Sequence, residues 1–318
     1  MTPTPLNNVT GAVLATQLRG LLLVGCFGTL ALLSAPRAVA LELIEDSQSA
    51  GPVQLAFATR MDYAHWHNEG TRFSCRLSQP IKRYGTAIFE QRAGYGSRFM
   101  LQAKRNQLQP GDAKLISKPP VWAPELPGRS LATVSVQSGK EAIVLDDQLA
   151  NQMLAELQRG MAPGFMTRAR YDDAEAIEVS LSSKHFLGAY DRFQECVDGL
   201  FAKNFEQLER TRVHFDTDKH SLNLATRTVL DEIIEYSKLD DSVRRIYIDG
   251  HTDDVHESSY NIGLSKRRAQ AVSAYMATKG LSKKKLVTRY HGERYPVTEN
   301  LDDDSRLQNR RVTVRLER

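Results

Sequence analysis

The sequence predicts an α+β chain of two domains behind a short leader. Three observations carry this. Between residues 53 and 182, short runs of alternating apolar and polar residues recur, separated by proline and glycine turn signals. From residue 203, strand patterns alternate with helical ones. Residues 1–40 hold no acidic residue and one long apolar run. The expected division is a leader over 1–40, a β-rich domain with two helices over 41–202, and an α/β sandwich over 203–318.

In the leader, Arg19 precedes an apolar run from Gly20 to Ser34, and Ala38-Val39-Ala40 has the small-x-small pattern of a signal-peptidase site. The run of about 16 residues is shorter than the roughly 20 that span a bilayer. It reads as a secretory signal cleaved after Ala40, which implies an exported mature chain without a transmembrane segment. Leu23-Val24-Gly25-Cys26 resembles a lipoprotein acylation site, but cleavage there would leave the apolar stretch Phe27–Leu33 at the mature N-terminus.

The 318 residues are 41% hydrophobic and 25% charged, the proportions of globular protein. The formal charge is +4, from 42 basic and 38 acidic residues. Loss of Arg19 and Arg37 with the leader reduces it to +2, too near neutral to argue for nucleic acid. Beyond the leader only Cys75 and Cys196 remain. An exported chain with two cysteines most simply forms one disulfide.

In the β-rich domain the expected strands are 53–58, 72–77, 86–91, 98–104, 113–117, 131–137 and 177–182. Such spacing suggests a sandwich or a barrel-like unit. Asp146-Asp147 start a helix with Leu149, Met153, Leu154 and Leu157 on its apolar face, and Gly160 ends it. A second helical run covers 184–201 and carries Cys196. His65-Trp66-His67 reads as a surface loop rather than a metal site. In Lys118-Pro119-Pro120-Val121-Trp122, a tryptophan on a stiff segment is either a partner anchor or a loop packed on the sandwich.

After residue 203 come a strand at 212–215, a helix at 222–238, a strand at 243–248, a helix at 261–279 and strands at 286–290 and 312–316. Helices on one face of the sheet follow from this order. Ile246-Tyr247-Ile248-Asp249 alternates as a half-buried strand, and Gly250 permits a sharp turn at its end. On the next helix, Asn261, Leu264, Ser265 and Arg268 fall on one stripe, an unusual place for an arginine. An aspartate at a strand tip and an arginine on the following helix suit a zwitterionic ligand.

Phe215-Asp216-Thr217, Gly250-His251-Thr252-Asp253, Tyr260-Asn261, Leu264-Ser265, Arg268-Ala269, Gly292-Glu293 and Asn309-Arg310-Arg311-Val312 together resemble the OmpA-like peptidoglycan-binding domain. The resemblance implies an OmpA-like α/β sandwich in which Asp253 and Arg268 grip diaminopimelate of the wall stem peptide. His256 departs from the glycine found there in many members. Arginine suits the carboxylate because its planar fork binds bidentately. Asp253 offers acceptors to the ammonium, and the helix N-terminus near Asn261 favours an anion. Thr252 and Asn261 supply neutral hydrogen bonds, Leu264 shares the stripe, Arg310 serves mainly structure, and Arg311 is a candidate ligand-side group.

In the first half, Cys75–Ile81, Tyr84–Ala87, Ile116–Trp122 and Ile177–Ser183 resemble the MotY family of T-ring proteins in the sodium-driven flagellar motor. That resemblance implies a non-enzymatic anchor for the torque-generating stator units at the flagellar basal body, with MotX as the partner of residues 41–202. No cofactor or metal is implied. The competing readings are a wall-binding protein of the outer membrane unrelated to motility, and a cell-wall hydrolase that this domain targets. Residues 41–203 show no paired acids and no Cys/His set to support the hydrolase.

Overall fold

The structure, a computed structural model, describes residues 53–59, 63–120 and 122–318. The expected signal over 1–40 and Cys26 lie outside the described residues. The described residues belong to one compact unit, and among them no helix is long and apolar enough to cross a membrane.

The first half contains β1 (Val53–Ala58), β2 (His67–Gly70), β3 (Ser74–Ile81), β4 (Gly85–Arg92) and β5 (Ser97–Ala103). There follow β6 (Gly111–Lys118), β7 (Arg129–Val136), β8 (Glu141–Leu145), α1 (Asp147–Gln158), β9 (Ala162–Arg168), β10 (Ala176–Ser180) and α2 (Phe186–Asp198). They form two five-stranded sheets, ordered β1-β10-β9-β6-β7 and β2-β3-β4-β5-β8. Neither sheet closes into a barrel, so of the two expected forms the open, layered one is observed. Both contribute to one hydrophobic cluster. Alternation drives this: along β3, Cys75, Leu77, Gln79 and Ile81 are buried while Arg76 is exposed. Phe99 of one sheet stacks on Phe165 of the other at 5.6 Å between centroids.

Asp146 caps α1 by accepting from the Leu149 amide, as its position before the apolar stripe predicts. Cys75 and Cys196 are joined by a disulfide, with Cα atoms 6.0 Å apart. It ties β3 to α2. Trp66 corrects the surface-loop expectation for its segment: it is buried, packs edge-on to Phe186 at 5.0 Å and donates to the Ser182 carbonyl. Trp122 is 56% exposed, so it is not packed on the sandwich.

The second half contains α3 (Phe205–Leu208), β11 (Arg210–His214), α4 (Leu224–Leu239), β12 (Arg245–Gly250), α5 (Ser258–Thr278), β13 (Leu286–Tyr290), α6 (Asp303–Asn309) and β14 (Arg311–Glu317). The sheet order is β11-β14-β12-β13, with only β12 and β13 parallel. Val213, Ile246, Ile248, Val312 and Val314 share a second hydrophobic cluster with Leu230 and Ile233 of α4 and Ala269 and Val272 of α5. The intervening sheet residues form the opposite, polar face.

The halves meet in an aromatic seam. Phe73 and Phe201 pack on Tyr236 at 5.1 and 5.5 Å, and the Tyr95 hydroxyl donates to Glu206 at 2.8 Å. Ala93 of the first half belongs to the second cluster.

Candidate functional site

The site lies where β12 and β13 end and α5 begins. Gly250 closes β12, and its role differs from the expected turn. It has no left-handed φ; rather, a Cβ there would overlap the carbonyl oxygen of Ser265 on α5. Close helix–sheet approach requires the glycine. Gly250→Ala is expected to wedge α5 from the sheet and lower stability by about 1–3 kcal/mol, read as a lower urea midpoint.

α5 begins at Ser258, three residues before the expected start, and Glu257 gives it no side-chain cap. Asn261 therefore lies inside the first turns, and its Nδ2 donates to the His256 carbonyl at 2.7 Å. His256 also packs edge-on to Tyr260 at 4.9 Å. The loop after β12 is thus folded back on the helix it precedes. Asn261, Leu264, Ser265 and Arg268 are all buried, as one stripe.

Arg268 is fully buried, and its guanidinium is the hub of the site. Nε donates to the Lys219 carbonyl at 2.8 Å, Nη1 to His251 at 3.0 Å and Nη2 to Asp216 at 3.1 Å. Phe215 lies under the cation at 5.3 Å. Burial lowers its pKa to about 10, so it remains charged at neutral pH. Of five guanidinium hydrogens, three are committed and one remains on each of Nη1 and Nη2.

Asp253 is buried but does not pair with Arg268. Its Oδ2 accepts from Nη1 of Arg310 at 3.0 Å, and Arg310 Nε donates to the Phe215 carbonyl. The structural role expected of Arg310 therefore includes holding Asp253. Asp253 Oδ1 accepts no hydrogen bond among the described residues. Thr252 Oγ1, Asn261 Oδ1 and Glu293 Oε2 are buried without partners. Leu264 is buried and offers no polar group. Glu293 was not among the expected site residues, although Gly292-Glu293 belongs to the matching pattern. Serine and asparagine side chains, Ser258 first, hold its carboxyl below the usual range.

Arg311 lies elsewhere. It lines a cleft of about 400 Å³ that includes neither Asp253 nor Arg268. In this cleft Asp249 accepts two hydrogen bonds from Arg289, at 2.6 and 2.9 Å, and one from Arg315 at 3.3 Å. Burial opposes ionisation of Asp249, but these bonds and that of His291 outweigh it and lower its pKa. His251 stacks on His291 at 5.0 Å. Its pKa is lowered from 6.5 to about 3 by burial, then by Arg311 and His291.

The unfolded chain protonates His251 near pH 6.5, whereas the fold resists until about 3. Stability is therefore expected to fall as pH drops from 6.5 towards 3, by up to about 1.4 kcal/mol per unit. Asp249 adds to the loss only once pH falls into the usual carboxylate range and below. Denaturant melts of wild type and His251→Gln between pH 4 and 7 check this: the variant's profile is flatter.

Two family models match the chain: the MotY N-terminal domain over residues 57–202 and the OmpA family over residues 214–310. The sodium-type flagellar protein MotY of Vibrio parahaemolyticus is 28% identical over 250 residues, which cover 78% of this chain and 85% of that protein. The peptidoglycan-associated lipoprotein of Pseudomonas aeruginosa is 32% identical over 119 residues, 37% of this chain and 70% of that protein. A crystal structure of the peptidoglycan-associated lipoprotein from Burkholderia pseudomallei is 30% identical, with a TM-score of 0.32, covering 33% of this chain and 89% of that one.

Proposed function

Because the chain belongs to the OmpA family and carries a MotY N-terminal domain ahead of the OmpA domain, we propose that it is a non-enzymatic periplasmic tether of the flagellar motor. Residues 203–318 bind the peptidoglycan stem peptide. Residues 41–202 engage the basal body, with MotX as the expected partner, and so hold the T ring and stator to the wall.

The observation that carries the wall-binding reading is the set of unused polar groups around Asp253 and Arg268. Asp253 Oδ1, Asn261 Oδ1 and Glu293 Oε2 are acceptors, suited to the ammonium of diaminopimelate. The two remaining Arg268 hydrogens and the N-terminus of α5, which lacks a side-chain cap, are donors, suited to its carboxylate. Thr252 Oγ1 can serve either end. Each charge-assisted bond contributes about 1.5–3 kcal/mol, so several give micromolar affinity per site. Copies arranged in a ring then add avidity.

The test is co-sedimentation of the purified protein with bacterial sacculi. Retention that free meso-diaminopimelate competes away supports the reading, and indifference to the competitor sinks it. A cleared zone in a sacculus activity gel would instead favour the targeted hydrolase.

A further inference from the structure

The polar face of the C-terminal sheet, away from α4 and α5, is strongly basic. On β11 it carries Arg210 and Arg212, on β13 Arg289, and on β14 Arg311 and Arg315. The register places Arg210 directly opposite Arg315, and like charges facing each other across a ladder destabilise a sheet. The one buried carboxylate on this face, Asp249, is already taken by Arg289, Arg315 and His291. Arg210, Arg212 and Arg311 make no ion pair among the described residues.

Arg311 is only 4% exposed. Nη2 donates to the Tyr295 carbonyl at 3.0 Å and Nη1 makes a longer contact with the Asn309 carbonyl at 3.4 Å. Its Nε is buried without a partner, as is Nδ1 of His251, and both side chains line the same cleft. A buried guanidinium with no carboxylate and an unused N–H is costly to leave so. Arg210 of β11 and Arg311 and Arg315 of β14 line one cleft with Arg289 and a single carboxylate, Asp249, so the excess is at least two positive charges.

We propose that this cleft is a second ligand site, which binds a phosphate monoester or inorganic phosphate through Arg311, Arg210 and Arg315. A dianion matches the excess charge, and its tetrahedral oxygens can meet guanidinium forks arriving from several directions. This site shares no ligating residue with the wall-binding site around Asp253, and it stands or falls independently of that reading.

The test uses the purified protein at fixed ionic strength, with sodium chloride replaced stepwise by sodium phosphate. A saturable rise in melting temperature and saturable NMR shifts of the His251 and His291 rings are expected. Arg210→Gln and Arg315→Gln, both at partly or fully exposed side chains, are each expected to weaken phosphate binding at least tenfold, about the worth of one charge-assisted bond. Both variants still pellet with sacculi. Arg311→Lys, which keeps the charge but loses the fork, is expected to weaken it similarly; its circular dichroism checks folding. Glucose 6-phosphate and phosphatidylcholine vesicles containing phosphatidate distinguish sources. Binding of the sugar phosphate with inert vesicles assigns a soluble ligand, and binding of both assigns a phosphate group accessible also on a lipid. No saturable phosphate effect, an effect unchanged in Arg210→Gln and Arg315→Gln, or binding of vesicles alone overturns the proposal.

Discussion

Arg268→Lys is expected to abolish retention on sacculi and to destabilise the C-terminal half. Lysine keeps the charge but cannot reach the Asp216, Lys219 and His251 carbonyls together, because it lacks the planar fork. Those carbonyls fix the loop after β11 to the end of β12. Leaving two or three of them unmet in a buried site costs on the order of 3–5 kcal/mol. Binding and folding are thus entangled at Arg268, and a second variant must separate them. Asp253→Asn retains an oxygen for Arg310 at nearly the same volume and removes only the charge, so its stability loss is smaller, about 1–3 kcal/mol. It is nonetheless expected to lose sacculus binding, because the ammonium no longer meets a carboxylate. Pelleting assays and urea melts on both variants check this. If Asp253→Asn pellets like the wild type, Asp253 is a framework residue and the ligand set is wrong.

The behaviour of Arg268 shows what sequence could and could not reveal. Its place on a buried stripe with Asn261, Leu264 and Ser265 was legible from spacing alone, because helical periodicity fixes which residues share a face. Its partners were not. Carbonyls at 216 and 219, about fifty residues earlier, take its hydrogens, and Asp253 pairs with Arg310. Which of several arginines meets a carboxylate depends on side-chain packing, and periodicity carries none of that. Arg311 illustrates the same limit: adjacent to Arg310 on the chain, it lines a different cleft, one that includes neither Asp253 nor Arg268.

Strand recognition failed in the first half for equally specific reasons. β9 contains Pro163-Gly164, a pair that marks turns, yet it runs between β10 and β6. Pro163 is tolerated near the strand's start, where its carbonyl accepts from the Leu181 amide and no donor is demanded of it. β2, His-Asn-Glu-Gly, is exposed throughout and has no apolar alternation to detect. α6 is absent from the expected elements: Asp302 and Ser305 cap it reciprocally, but serine stands where the usual capping signature has glutamate or glutamine. The elements that were recognised, such as β3, β4 and α1, each bury one regular face.

Removal of the Cys75–Cys196 disulfide is expected to have the largest effect on the first half. The bridge spans a separation of 121 residues, enclosing most of that half in one loop. In the chain-entropy model, cutting it destabilises by up to about 4–5 kcal/mol, an upper value because the unfolded chain retains some structure. A shift of the thermal transition on adding reductant, absent in Cys75→Ala/Cys196→Ala, checks it; equal transitions with and without reductant would refute a stabilising bridge. Gly70 supplies a sharper test of where the bridge sits. It pairs directly with Cys75 across β2 and β3, and a Cβ there would overlap Cys196 Sγ. The bridge therefore occupies the space that a side chain at position 70 would need. Gly70→Ala is expected to destabilise the oxidised protein by about 1–3 kcal/mol through overpacking, and to cost much less when Cys196 is also alanine. That non-additivity, measured as a double-mutant cycle, is the signature of two groups competing for one volume. Additive effects would place the sulfur elsewhere.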